Sequence, residues 1–283
     1  MSLKTVVLFF VITLTLHSQQ YHYAGEIGEF RQASSFTISS LGFIYVTDAA
    51  TNEIVKYDLQ GNKLKDIGGF GWGNAQFDSP SDICTGPLNI YVADKNNHRI
   101  QIFDKDLNLI TLFKSNSVSY NTPVFAYPVA VGISNQGDMF ILDSDNRNIH
   151  KYDINGSYIN SFGGIDAGEL SISEPLDLHV DGNKSVFILN GQKELLIYDT
   201  FGNPQAFVQY EFSVTSINGY GRTITLTSED QITILDATEP GLPGNKLILA
   251  DTPEKTRFIS SLLHNNILYI LTETKILIYH PFP

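Results

Sequence analysis

The sequence predicts an all-β chain folded as a β-propeller of six blades. Three observations carry that prediction. One apolar hairpin recurs six times, its spacing stays near-constant, and the last copy stops one strand short of the others. Aligned on the hairpin, Tyr45, Tyr91, Phe140, Phe187, Ile224 and Tyr269 fall at equivalent positions, separated by 46, 49, 47, 37 and 45 residues. A period of this size marks a chain built from one repeated supersecondary unit.

The first copy runs FIYVTDAATNEIVKYDLQGNKLKDIGG from Phe43. A short apolar strand and a Gly or Asn turn come before it, and a polar loop separates its "YVTD" strand from its "IVKYD" strand. A second turn leads to a fourth strand. Four strands of about five residues in some 45 residues form a propeller blade. The second copy starts at Asn89, the third at Asp138 and the fourth at Ser185, and weaker copies start at Arg222 and Ile267. Pro80, Pro128 and Pro175 stand where a first strand begins, a place where proline removes no ladder donor. A seventh blade would need roughly 50 further residues at this repeat length. After Ile276-Leu277-Ile278-Tyr279 only His280 to Pro283 remain, so the last blade lacks its fourth strand. Tyr21-His22-Tyr23-Ala24-Gly25 is expected to supply it. The ring then closes without the two free edges of a linear array.

Composition agrees. Hydrophobic residues make up 42% of the chain and charged residues only 17%, with 14 Tyr and 18 Phe. Asn, Ser, Thr and Gly do the solubilising, as suits strands and tight turns. The net charge of −12 argues against nucleic acid and anionic lipid, whose phosphates attract Lys and Arg. A cationic ligand, a divalent ion or a neutral polymer stays open. Cys84 is the single cysteine, which excludes an intrachain disulfide, and its apolar strand context predicts a buried thiol.

Residues 1–19 read as a secretory signal: one positive charge, an apolar run too short for a membrane span, then His17-Ser18-Gln19. The expectation is an exported chain, secreted or periplasmic, with one propeller over residues 20–283. No membrane insertion is expected after cleavage, and the mature chain is expected to be a monomer without a cofactor.

Two stretches give the repeat a family likeness. Gly68-Gly69-Phe70-Gly71-Trp72-Gly73-Asn74-Ala75-Gln76-Phe77-Asp78-Ser79-Pro80, followed by Ile90-Tyr91-Val92-Ala93-Asp94-Lys95-Asn96-Asn97-His98-Arg99-Ile100-Gln101-Ile102-Phe103-Asp104, resembles a complete NHL repeat. The second blade is close to ideal, the first and third are good, the fourth has Asn190 in place of Asp, and the last two are degenerate. The likeness implies an exported, bacterial NHL-type six-bladed propeller. That family includes RNA readers, extracellular sensors, a lyase and many exported proteins, so it implies the fold and leaves the function open.

Most motifs answer to the fold. The glycines around Trp72 form a blade linker, since no helix follows to make a dinucleotide site. Asp48, Asp94 and Asp143 close second strands, while Asp58, Asp104, Asp153, Asp199 and Asp236 close or follow third strands. Such recurrence points to loop-capping Asx turns. Asp82 and Asp177 share one place at the start of the innermost strand. Six-bladed lactonases and esterases hold calcium there through oxygen ligands, but Ala130 occupies that place in the third blade. His98, His150 and His179 show no zinc-ligand spacing.

What does not recur is the candidate for function. Blade linkers and second-to-third-strand loops are expected on one face, which gathers Trp72, Arg99, Tyr120, Phe125, Tyr127 and Arg147 as a binding surface. The reading is a non-enzymatic binding or scaffold protein whose partner is a protein, peptide or glycan. The alternative is a calcium- or zinc-dependent hydrolase or lyase working in the central channel.

Overall fold

The computed structural model describes residues 20–114, 124–182, 184–239, 241, 243–253 and 256–282. The predicted signal segment, residues 1–19, and Tyr120 lie outside them. The first strand among the described residues is β1 (Gln20–Ile27), which is used last.

Blade 1 is β2 (Ala33–Ile38), β3 (Phe43–Asp48), β4 (Glu53–Asp58) and β5 (Lys63–Gly68). Blade 2 is β6 (Pro80–Thr85), β7 (Ile90–Asp94), β8 (Arg99–Phe103) and β9 (Leu109–Lys114). Blade 3 is β10 (Pro128–Ile133), β11 (Met139–Asp143), β12 (Asn148–Tyr152) and β13 (Tyr158–Phe162). Blade 4 is β14 (Pro175–Asp181), β15 (Ser185–Asn190), β16 (Glu194–Asp199) and β17 (Pro204–Gln209). Blade 5 is β18 (Ser216–Tyr220), β19 (Thr223–Thr227), β20 (Ile232–Asp236) and the two-residue β21 (Asn245–Lys246). Beyond it come β22 (Ile248–Ala250), β23 (Phe258–His264), β24 (Ile267–Thr272) and β25 (Ile276–Pro281).

The last sheet has the order β22-β1-β25-β24-β23, so the N-terminal strand completes blade 6 as its spacing predicts. Tyr21 pairs with Pro281 and Ile27 with Ile276, antiparallel. One feature was not foreseen: β22 adds a fifth strand, running parallel to β1 with Tyr21 opposite Leu249.

The apolar pattern follows from where each strand sits. The second strand of every blade is covered on both faces by neighbouring blades, so β11 is buried along its whole length and β15 nearly so. Outer strands such as β5 meet water and alternate. Among the described residues the apolar side chains form six clusters, each spanning one junction between blades. Leu262, Tyr269 and Leu271 of blade 6 pack with Phe36, Ile44 and Val46 of blade 1, which seals the ring.

The recurring carboxylates do the work the repeat predicts. Asp58, Asp104, Asp153 and Asp199 each accept backbone N–H groups two and four residues on, at 2.7–3.0 Å. The next turn residue needs positive φ and is Gly61, Gly156 or Gly202, but in blade 2 it is Leu107 at φ 57°. Leu107 is buried in the junction between blades 1 and 2, and that packing offsets the backbone strain of a side chain in the left-handed region.

Candidate functional site

A second set of carboxylates fixes the linkers. Asp48 accepts the amides of Arg31 and Gln32, Asp143 those of Ala126 and Tyr127, and Asn190 those of Ser173 and Glu174. Each linker is thereby pinned to the loop joining the second and third strands of the blade that follows it, and both emerge on one face. In blade 2 the arrangement is stronger. Asp94 accepts the Asp78 amide at 2.9 Å and the Arg99 Nε–H at 2.7 Å. The rest of the guanidinium donates to the carbonyls of Trp72 at 2.9 Å, Gly73 at 2.9 Å and Gln76 at 2.7 Å.

Arg99 is therefore not a surface contact, as its place in a polar loop suggested. It is fully buried, and it clamps the linker that carries Trp72. A buried guanidinium needs its donors matched, and here a carboxylate and three carbonyls match them. Phe125 is the second correction. It is 1% exposed and stacks on Phe113, at 6.0 Å between ring centroids, inside the junction of blades 2 and 3. Phe30, Phe77 and Ile172 stand at the same offset before their braced linker residues and are buried too. Phe125 belongs to the repeat, and its spacing of three residues before Pro128 was the signal.

The other aromatics remain on the surface. Trp72 is 75% exposed, Tyr127 is 38% exposed, and Arg147 is exposed in the loop between β11 and β12. The loop between β7 and β8 joins them: Asn97 donates to the Gly71 carbonyl at 2.9 Å, and His98 bonds the Ala126 carbonyl at 2.7 Å. The His98 ring then meets Tyr127 edge-on at 4.5 Å. Phe70, on the Trp72 linker, is also exposed, and so is Ile165 on the linker to blade 4. The sequence puts the loop of His98 on this face and reads Phe70 as part of the glycine-rich linker, without singling out either side chain. Their exposure on a hydrogen-bonded frame depends on tertiary contacts that no local pattern reveals.

Asp82 and Asp177 face the central channel from blades 2 and 4 and line the same cavities. Asp82 accepts the Ser35 hydroxyl at 2.7 Å and the Val131 amide at 2.9 Å, tying blades 1 and 3 to blade 2. Asp177 accepts the amides of Leu178 at 2.8 Å and Ile217 at 2.9 Å, the second in blade 5. Burial in the ring raises both carboxyls above the usual range, and the charge of Asp82 helps push Asp177 up to about 8. His179, two residues on, is pushed down to about 4 by burial and so is neutral near pH 7. Cys84 lines the channel with its thiol raised well above the ordinary value, again by burial. Of these groups only the Asp82 and Asp177 carboxylates are oxygen donors of the kind calcium takes. Among the described residues no three His, Cys, Asp or Glu side chains gather as a metal-binding group.

Comparison with known proteins fits this picture. The model of the NHL repeat matches residues 77–103, the repeat of blade 2. Over 141 residues, 48% of this chain, the sequence is 30% identical to Protein brain tumor of Drosophila melanogaster, and the match takes in 13% of that protein's length. Among solved structures, a catalytically inactive virginiamycin B lyase from Staphylococcus aureus with quinupristin superposes with a TM-score of 0.61. Identity there is 15%, over 88% of this chain and 80% of that one. The WD40 repeats of RRP9 superpose with a TM-score of 0.63 at 8% identity, over 91% of this chain and 100% of that one. At these identities the two structures share a fold with this chain and nothing more is carried over.

Proposed function

We propose that this chain, a six-bladed β-propeller of the NHL-repeat kind, is an exported, non-enzymatic binding or scaffold protein that holds a protein partner on its linker face. The observation that carries the reading is the clamped linker: Arg99 fixes the backbone at Trp72, Gly73 and Gln76 while the indole stays in solvent. A large ring on an ordered backbone loses little conformational entropy on binding, and such rings dominate interface energetics. Tyr127, Phe70 and Ile165 extend the apolar surface across the linkers of blades 2 to 4, and Arg147 adds a charge at its edge. Export rests on the apolar stretch within residues 1–19. Among the described residues no helix is long and apolar enough to cross a membrane.

The test compares the parent chain with Trp72→Ala and Tyr127→Ala against a partner recovered by cross-linking and then purified. Each variant is expected to weaken binding about tenfold, a loss of roughly 1.4 kcal/mol. Melting temperatures should stay within a few degrees of the parent, because Trp72 lies largely in water and Tyr127, 38% exposed, belongs to neither cluster of the adjoining blade junctions. A large fall in melting temperature, with affinity unchanged in the folded fraction, would show that the rings serve blade packing instead.

A further inference from the structure

Across the ring from Trp72, the same face opens into a cleft of about 630 Å³. Phe212 and Thr215 line it from the linker between blades 4 and 5, Ser228, Glu229 and Gln231 from the loop between β19 and β20, and Arg257 from the segment before β23. Thr215 and Arg257 also line a cavity of about 150 Å³ at the channel mouth, together with Ser34, Ser35, Ser81 and Ser216. The cleft thus runs inward along a wall of hydroxyls.

Its chemistry selects a ligand class. The Ser228 hydroxyl is buried, the residue being 4% exposed, and it has no hydrogen-bond partner. A buried hydroxyl left unpaired costs free energy that an incoming donor or acceptor recovers. Beside it the Arg257 guanidinium pairs with Glu229 at 2.8 Å, both side chains largely exposed, so donors and acceptors stand side by side at the rim. Hydroxyl, amide, carboxylate and guanidinium groups in one wall suit a ligand that both donates and accepts at every position. Glu229 and Asp230 outnumber Arg257 in the wall, and Asp82 and Asp177 lie below, which disfavours anions. The one aromatic ring of the wall, Phe212, is held against Tyr210 with 5.2 Å between centroids and offers a flat apolar surface. The volume lies within the range of roughly 300–1,000 Å³ typical of small-molecule sites.

We propose that this cleft binds a short neutral oligosaccharide, its hydroxyls meeting Ser228, Glu229, Gln231 and Arg257 and one sugar face lying on Phe212. The site is separate from the Trp72 surface and stands or falls independently of it.

The experiment is calorimetric titration of the full chain with maltotriose, cellotriose, mannotriose and diacetylchitobiose, each to about 10 mM, a range that detects millimolar affinity. The same titration is run with end-capped tripeptides. At least one saccharide should bind saturably, and Glu229→Gln and Gln231→Leu should each weaken it tenfold or more. Trp72→Ala should leave it unchanged. Melting curves show which variants are folded, and Glu229→Gln decides alone if the other is not, because its side chain is 61% exposed. Three results overturn the proposal: no saccharide binds, binding ignores the cleft variants, or the capped peptides bind and the saccharides do not.

Discussion

A chain beginning at residue 27 is expected to lose its cooperative thermal transition, although it lacks only the strand that closes the ring. β1 is the second strand of a five-stranded sheet, so its removal strips β25 of an antiparallel partner and leaves β22 with none. Tyr21 is fully buried and Tyr23 packs on Tyr279 with 5.9 Å between ring centroids. Burying a large apolar side chain stabilises by about 1.5–3 kcal/mol. Each ladder hydrogen bond adds about 0.5–1.5 kcal/mol net. The sum is on the order of 5–10 kcal/mol, against a total stability of about 5–15 kcal/mol for an ordinary domain. Tyr21→Ala alone should cost about 3–5 kcal/mol, the usual figure for emptying a buried aromatic site. Removing residues 1–19 should leave the melting curve unchanged. If the chain from residue 27 melts with the parent, the closing strand contributes no stability and the ring is held by its other junctions.

That strand was legible because the repeat has a phase. A copy that stops after its third strand must be completed from elsewhere, and Tyr21 to Gly25 was the one unassigned strand-like segment. The fate of blade 5 was not legible. Glu239 to Gly244 holds two prolines and two glycines, which break the strand period. The chain resumes as β21, only two residues long, and then crosses to the outside of blade 6 as β22. A parallel pair of this kind depends on where blade 6 lies in space, and the sequence carries no local sign of it.

The binding surface is only half legible in the sequence for a similar reason. Arg99 looked like a loop cation, yet the hairpin register sets it directly opposite Asp94, and that pairing was open to inference from the repeat alone. The carbonyls that complete its hydrogen bonds come from a linker more than 20 residues earlier, and only the fold brings them together. Phe125 looks like a surface residue when the linker is taken as one aperiodic unit, yet the linker's last residues keep the repeat's phase. Trp72 differs from both. It has no counterpart in other blades and no core to enter, so a residue absent from the repeat is also absent from the packing.

The acidic pair in the channel gives the second large effect, and its sign identifies what the channel holds. Asp177 titrates near 8 in the folded chain, and Asp82 is raised as well, both mainly by burial. In the unfolded chain an aspartate titrates near 3.9. A carboxyl whose folded value is raised contributes stability below its unfolded value and loses it as pH rises through the folded value. The parent should therefore become less stable from about pH 4 to pH 8, as the pair is forced to ionise. Asp82→Asn removes one charge and keeps the size of the side chain. Its amide oxygen can still accept from Val131, and the Ser35 hydroxyl can reverse its role and accept from the new NH₂. Asp82 also accepts the Ile83 amide, and Asp177→Asn makes the same exchange, since both Asp177 oxygens accept backbone amides and one would be replaced by a donor. Both residues are only partly buried and line open cavities, which screens the pair, so the gain for Asp82→Asn at pH 8 is put at about 2–3 kcal/mol. That corresponds to a melting temperature roughly 5–10 °C above the parent in a chain of this size. The difference should vanish by about pH 4, where the folded pair is protonated in the parent as well. A divalent cation between the carboxylates would invert this, because it lowers both pKa values and makes the charged pair the stable one. Asp82→Asn would then melt below the parent at pH 8, and calcium would raise the parent's melting temperature without affecting the variant. That outcome would move the function from the linker face into the channel.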